Sequence, residues 1–157
     1  MKIDKSFLVH TVLGHSYLVY FVTLVFGLLI DTYWMVRFNA PFLSPVGFVL
    51  LFVGPALILW AQYTSHKLAV KQITVDPTTH FFDFARGPYT FTRSPTHLGL
   101  FLMIIGLGFL FNSVSIVTTT LIAFLITKYI FLAKEEKLLE EKYGEEYQKY
   151  KDKVKQL

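Results

Sequence analysis

The feature that most restricts this chain is a set of four long apolar stretches, at about residues 17–36, 46–63, 97–111 and 113–132. About twenty apolar residues in a helix cross a hydrocarbon core of roughly 30 Å, and inside that core every backbone amide must be satisfied within its own segment. Hydrophobic residues make up 54% of the 157 and aromatic ones 17%, more apolar surface than a soluble domain of this length can bury. The surplus must face lipid. The expected fold is therefore an all-α integral membrane protein, a single domain over 1–157, with about four transmembrane helices, a polar loop and an amphipathic helical tail.

The residues between the stretches punctuate them. Lys2 and Lys5 precede an apolar run that superficially resembles a signal peptide, but the run continues too far and lacks a small-x-small exit, so retention is expected. Residues 6–13 are placed at the interface. Asp31 lies beside Tyr33 and Trp34, near the aqueous boundary, as a helix-end or inter-span hydrogen-bonding group. Asn39, Pro41, Ser44 and Pro45 build the first turn, and Pro55 after Gly54 is expected to kink the second span. From residue 64 to 96 the chain is polar and reads as a long loop, the kind of segment where function concentrates. Asn112 and Ser113 leave room only for a tight hairpin between the last two spans. Gly99, Gly106 and Gly108 in the third span suit close helix packing, and the Gly106-x-Gly108 pair follows no strand and carries no nucleotide-binding meaning. Beyond residue 132 the pattern turns charged and amphipathic, with Gly144 as a break between two helical pieces.

Four spans place the N-terminus, the 64–96 loop and the tail on one side, together with every Lys and Arg except Arg37. Basic residues are retained on the cytoplasmic side, so both termini are expected there, in the plasma or inner membrane if the source is prokaryotic. The net charge of +4 needs no nucleic-acid partner to explain it. With no cysteine there is no disulfide framework, thiolate nucleophile or Cys-based zinc site. His10, His15, His66 and His80 are scattered without the i, i+4 spacing of a helical metal site, and no metal is expected.

The informative stretch is 87–99, GPYTFTRSPTHLG, where a polar loop carrying Tyr89, Arg93 and His97 runs straight into an apolar helix. A charge at that depth needs a partner. Glu135 and Glu136 are the best candidates, because the short hairpin returns the chain to the same side and level. Gln62 and His66, at the same end of the second span, are further candidates for lining this mouth. Glu140, Glu141, Glu145 and the tail lysines read as a solvated face, and Tyr89, Tyr143, Tyr147 and Tyr150 as either interfacial packing or site residues.

Taken together, GPYTFTRSPTHLG, the apolar hairpin and EEKLLEEKYGEEYQKY at 135–150 resemble the signature of the isoprenylcysteine carboxyl methyltransferase and phospholipid methyltransferase superfamily. That pattern reads approximately G-P-Y-x-x-x-R-(H or N)-P-x-Y-x-G, a hairpin, E-E-x-x-L, then (F or Y)-G-x-E-Y-x-x-Y; Asp76-Pro77 resembles a pair that many bacterial members carry upstream. The likeness covers about residues 76–151. It implies a bundle whose last two spans and C-terminal helices enclose S-adenosylmethionine, with a gap between helices admitting a lipophilic acceptor from the membrane. By position, Gly87, Pro88 and Tyr89 shape the entrance, Arg93, Pro95 and Gly99 match the arginine block, Glu135 and Glu136 the acidic pair, and Tyr143, Gly144, Glu146 and Tyr147 the tail block. The implied catalytic residues are Arg93 and Glu136. The implied cofactor-binding residues are Tyr89, Arg93, Ser94, Pro95, His97, Gly99, Glu135, Glu136 and Tyr147. Two positions depart from the pattern: Ser94 stands where His or Asn is usual, and His97 where Tyr is usual.

Methyl transfer from a sulfonium is an in-line displacement that positioning and desolvation can accelerate with few catalytic groups. Carboxylates and aromatic faces suit the cofactor's cationic sulfur and ammonium, and Arg93 suits a carboxylate. Three readings stand. The first is a membrane methyltransferase acting on an isoprenylcysteine-like carboxylate or a lipid amine or thiol. The second is an NADPH-dependent reductase of the sterol-reductase type, in whose R-H-x-N-Y pattern this chain has Thr96 and His97 in place of Asn-Tyr. The third is a non-catalytic membrane module that binds lipid or a partner protein.

Overall fold

The computed structural model describes residues 5–74 and 85–156, with side chains over 14–66, 85–141, 143–145 and 147–156. Regular structure among these residues is helical: α1 (Lys5–Trp34), α2 (Leu43–Thr74), a 3₁₀ turn (Gly87–Thr90), α3 (Pro95–Leu110), α4 (Val114–Ile126), a π-helical turn (Thr127–Leu132), α5 (Ala133–Tyr143) and α6 (Glu145–Lys153). Three stretches are long and apolar enough to cross a bilayer, Gly14–Trp34, Leu43–His66 and Val114–Glu141. The expected about four crossings thus stand as three long helices and a shorter one. At 16 residues, α3 is about 24 Å long, some 6 Å less than a typical hydrocarbon core.

Two helices outrun the apolar stretches that announced them. α1 starts at Lys5 and α2 runs to Thr74, so residues 64–74, expected as loop, continue the second helix. Hydrophobicity marks only the part of a helix that meets lipid; the hydrogen-bonded spiral extends into the aqueous phase as long as no residue stops it. Pro55 lies inside α2.

The helices pack in the order α2, α3, α4, α1. The α2–α3 seam is the closest, because glycine faces glycine twice along two antiparallel helices. A Cβ added at Gly54 would lie 2.5 Å from the Gly99 carbonyl oxygen, and one at Gly47 would lie 2.6 Å from that of Gly106. Each helix repeats its glycine after seven residues, two turns, which returns it to the same face. α4 packs on α3 and on α1, with Gly27 of α1 closing on Thr119. Outward-facing side chains are large and apolar, such as Phe52 and Leu59, 62% and 65% exposed. A surface of this kind belongs against lipid.

At one end of the bundle, Asn112 takes a left-handed conformation (φ 51°) after α3. The Ser113 amide then reaches back to the Gly108 carbonyl at 2.8 Å, and the Ser113 side chain accepts from the Ile116 amide at the start of α4. Ser113 also donates to Asp31, which is paired with Arg37 at 2.7 Å. Asp31 is accordingly the hydrogen-bonding group between helices that its position suggested. These contacts make the hairpin rigid and send α4 back to the opposite end, where α3 begins.

Candidate functional site

The site is built where the 3₁₀ turn, the start of α3, α5 and α6 meet. Gly87 opens the turn with φ +55°, and a Cβ there would come 2.7 Å from Thr64 Oγ1 on α2. Only glycine meets both the dihedral and the approach. Pro88 follows, buried, at the second position of the turn. The Tyr89 hydroxyl then lies 2.7 Å from Ser65 Oγ of α2, and the Tyr89 carbonyl accepts a 2.8 Å hydrogen bond from the Tyr150 hydroxyl of α6. Burial pushes the Tyr89 phenol up from its ordinary pKa. Ser94 caps α3 by backbone alone, its carbonyl accepting from Leu98 at 3.1 Å, and buried Pro95 takes the first helical position, which needs no N–H donor.

Arg93 enters the interior from this corner and pairs with Glu136 on α5. The two side chains are 10% and 14% exposed. Arg93 Nη1 and Glu136 Oε1 touch without the alignment of a hydrogen bond, and Arg93 Nε has no hydrogen-bond partner among the described residues. Glu136 is shared: Lys151 Nζ of α6 lies 3.6 Å from its Oε2 and 2.7 Å from Glu140 Oε1. Glu140, expected on a solvated face, is thus part of an ion network, and its hydrogen bond raises the Lys151 pKa.

A second polar contact lies beside the first. His97, 2% exposed, places Nε2 3.8 Å from Glu135 Oε2 and 3.4 Å from Ser16 Oγ of α1. The Tyr17 ring stands edge-on to the imidazole at 5.9 Å, and its hydroxyl bonds to Thr96. His97 Nδ1 is buried with no hydrogen-bond partner among the described residues. The π-helical turn at Thr127–Leu132 sits immediately before Glu135 and Glu136. It shifts the helical register just where the two carboxylates are presented, a device frequent at functional sites.

The tail folds over this corner. Tyr147, Tyr150 and Val154 of α6 are buried against Ala85, Leu139 and Tyr143. Burial, then the Glu136 carboxylate, raises the Tyr147 phenol well above its ordinary range; burial, then Tyr89, does the same for Tyr150. Gly144, with φ +59° and ψ −133°, makes the break between α5 and α6 that the sequence suggested.

The structure thus brings Arg93, His97, Glu135, Glu136, Tyr89 and Tyr147 into one corner. Ser94 and Pro95 serve that corner as the cap of α3. Gly99 faces the other way, onto Gly54 and Ile58 of α2. Gln62 and His66 are exposed on α2, and it is Ser65 on that turn that meets Tyr89. Asp76, Pro77, His80 and Asp83 lie outside the described residues, as do the side chains of His10, Lys67, Lys71 and Glu146. Sequence reasoning missed Ser16, Tyr17, Ser65 and Lys151. Ser16 and Tyr17 showed only as polar atoms within or beside an apolar run, Ser65 as one polar residue among several, and Lys151 as one lysine among several.

A family model described as phospholipid methyltransferase matches residues 46–146. The chain belongs to that family. The match runs from early α2 to the start of α6 and contains both the Arg93 corner and the two carboxylates; α1 lies outside it. Neither the curated proteins nor the solved structures gave a match. The phospholipid methyltransferase family is one of membrane methyltransferases within the superfamily that the two sequence blocks resembled, and the exposed apolar helices agree with a membrane protein.

Proposed function

We propose that this phospholipid methyltransferase family member transfers a methyl group from S-adenosylmethionine to a lipophilic acceptor at the cytosolic membrane face. The acceptor class comprises an isoprenylcysteine-like carboxylate and a lipid amine or thiol, reached from the bilayer between helices. The observation that carries the reading is the meeting of Arg93 and Glu136 inside the matched region, with buried guanidinium donors that lack aligned protein acceptors among the described residues. Such donors suit a carboxylate-bearing ligand.

The residues fit the cofactor's chemistry. Arg93 would hold its carboxylate, Glu135 and Glu136 would face its cationic groups, and Tyr147 and Tyr89 would supply aromatic surface and hydroxyls. When bound, the cofactor supplies an electrophilic methyl on a sulfonium sulfur. The chain's own work is to bind, orient and exclude water: α6 covers the corner with Tyr147 and Tyr150, and the α2–α3 seam fixes the helix that carries His97.

Sidedness follows from charge. Arg37 is the one basic residue assigned to the opposite side, against all the other Lys and Arg of the chain, and this positive-inside bias supports placing the site and both termini in the cytoplasm. In this reading α3 crosses as the fourth, short span, carried by its seam with α2.

The test is titration of the purified chain in lipid nanodiscs with S-adenosylmethionine and, separately, with NADPH. Saturable binding of the former alone supports the proposal. Binding of NADPH alone turns the reading to a reductase, and binding of neither at millimolar concentration turns it to a non-catalytic module.

A further inference from the structure

The outer face of α4 does not end with its apolar residues. Ile122, Leu125, Tyr129 and Ile130 are 49%, 50%, 71% and 58% exposed, and after Ala133 the next exposed side chains are Lys134 and Lys137. α4, the π-helical turn and α5 form one continuous rod, because Thr127, Leu132 and Ala133 at their junctions are all right-handed helical. Twelve residues separate Ile122 from Lys134, about three and a third turns of a regular α-helix. The wider π-helical turn takes up the odd third and returns both lysines to the face that meets lipid. From Val114 to Lys134 the rod rises about 30 Å, the thickness of a hydrocarbon core, so Lys134 stands at headgroup depth and Lys137 about 4.5 Å beyond it. Neither ammonium lies within ion-pair distance of a carboxylate among the described residues. Glu135 and Glu136, between them in sequence, turn inward to His97 and Arg93. Two like charges three positions apart disfavour a helix unless an anion lies against both.

We propose that Lys134 and Lys137 form a docking site for the phosphate headgroups of anionic phospholipids in the leaflet at the Arg93 corner, and that the bound lipid holds α5 from outside. Charge complementarity names the occupant. Two neighbouring cations without a protein acid, at the end of a lipid-facing stripe and at headgroup depth, meet lipid phosphates before any soluble partner. α5 presents Glu135 and Glu136 on its inner side, so lipid on its outer side steadies both carboxylates. That consequence rests on the proposed cofactor, whereas the lipid contact stands without it.

The experiment places the full chain in nanodiscs of phosphatidylcholine alone and of phosphatidylcholine and phosphatidylglycerol in equal parts, and follows hydrogen exchange of the α5 amides. Three proteins are compared: the unaltered chain, Lys134→Gln/Lys137→Gln, and Lys149→Gln/Lys155→Gln, which removes the same charge from exposed positions of the tail. Circular dichroism confirms the helical content of each. One lysine at an anionic surface is worth about fivefold, so the mixed lipid should raise α5 protection in the unaltered chain and in the tail variant by up to about 30-fold, and by less at high salt. Lys134→Gln/Lys137→Gln should show the same protection in both lipids. Equal protection of the unaltered α5 in the two lipids overturns the proposal, as does a lipid response that Lys134→Gln/Lys137→Gln retains or that the tail variant also loses. S-adenosylmethionine binding should tighten in the mixed lipid wherever α5 protection rises, and an affinity that ignores the lipid overturns the coupling to the site. Failure of the unaltered chain to bind S-adenosylmethionine in either lipid overturns the proposed function, and the exchange data then judge the lipid site alone.

Discussion

Removing one member of the Arg93–Glu136 pair separates a binding site from a simple staple. Both side chains are close to nine-tenths buried, and deleting one partner of a buried ion pair leaves the other desolvated and uncompensated, at about 3–5 kcal/mol. The two deletions are not equivalent. In Arg93→Ala, Glu136 keeps Lys151 at 3.6 Å, although that ammonium is 40% exposed and offsets only part of the loss. In Glu136→Ala the guanidinium keeps no carboxylate within ion-pair distance among the described residues. Glu136→Ala should therefore cost about 4–5 kcal/mol and Arg93→Ala about 2–3 kcal/mol. The double variant carries neither orphaned charge and should fall short of the sum by about 2–3 kcal/mol.

The same variants report on the ligand. A hydrogen bond to a charged group contributes about 1.5–3 kcal/mol, so loss of Arg93 should weaken S-adenosylmethionine binding about 10- to 150-fold. Calorimetric titration gives the affinity, and thermal unfolding followed by circular dichroism gives the stability of the same samples. Equal losses from the two single variants with an additive double variant would refute the shared role of Glu136. Unchanged cofactor affinity in both folded variants would remove the pair from the site.

The glycine seam predicts a contrast: Gly54→Ala should destabilise by about 1–3 kcal/mol, since its methyl would meet backbone atoms of Gly99 and Met103 at 2.5 and 2.7 Å, whereas Gly14→Ala has open space and should be neutral or mildly stabilising; equal thermal shifts would count against the seam. High pH should release α6 before the bundle. Tyr147 and Tyr150 have folded pKa values raised by burial above the ordinary 10.0, and Lys151 has one raised by Glu140 above 10.5. All three contributions are intact below those ordinary values and are lost as pH rises through the folded ones. The protection factors of α6 amides, with the intrinsic base-catalysed rise of exchange divided out, should fall together with the appearance of phenolate absorbance above about pH 10, and protection already lost between about pH 7 and 9 would contradict this.

Much of the fold was legible because lipid imposes a simple code. Apolar length marked the helices, and Asn112-Ser113 marked the hairpin that returns α4 beside the start of α3. That return made Glu135 and Glu136 readable as partners for the Arg93 corner. The helical extension to Thr74 was not readable, since polar residues in a helix that has left the membrane look like those of a loop. Nor was the contact of Ser16 with His97. A serine buried on one face of α1 has the same sequence surroundings as one facing lipid, and only tertiary packing distinguishes them. The π-helical turn before Glu135 is likewise a consequence of packing, carried by ordinary residues.

The two halves of the site are held by different forces, and this bears on how it works. His97 rides on a helix locked to α2 by backbone contact, where a single methyl has nowhere to go. Glu136, Tyr147 and Tyr150 ride on α5 and α6, joined to that frame by an ion pair, a shared lysine and one hydrogen bond to the Tyr89 carbonyl. Close packing through glycine is insensitive to pH and salt, whereas the polar contacts respond to both. A ligand that supplies the acceptors Arg93 lacks would add its binding energy to the weaker half, so its stabilising effect should fall on α5 and α6 and scarcely on the α2–α3 seam.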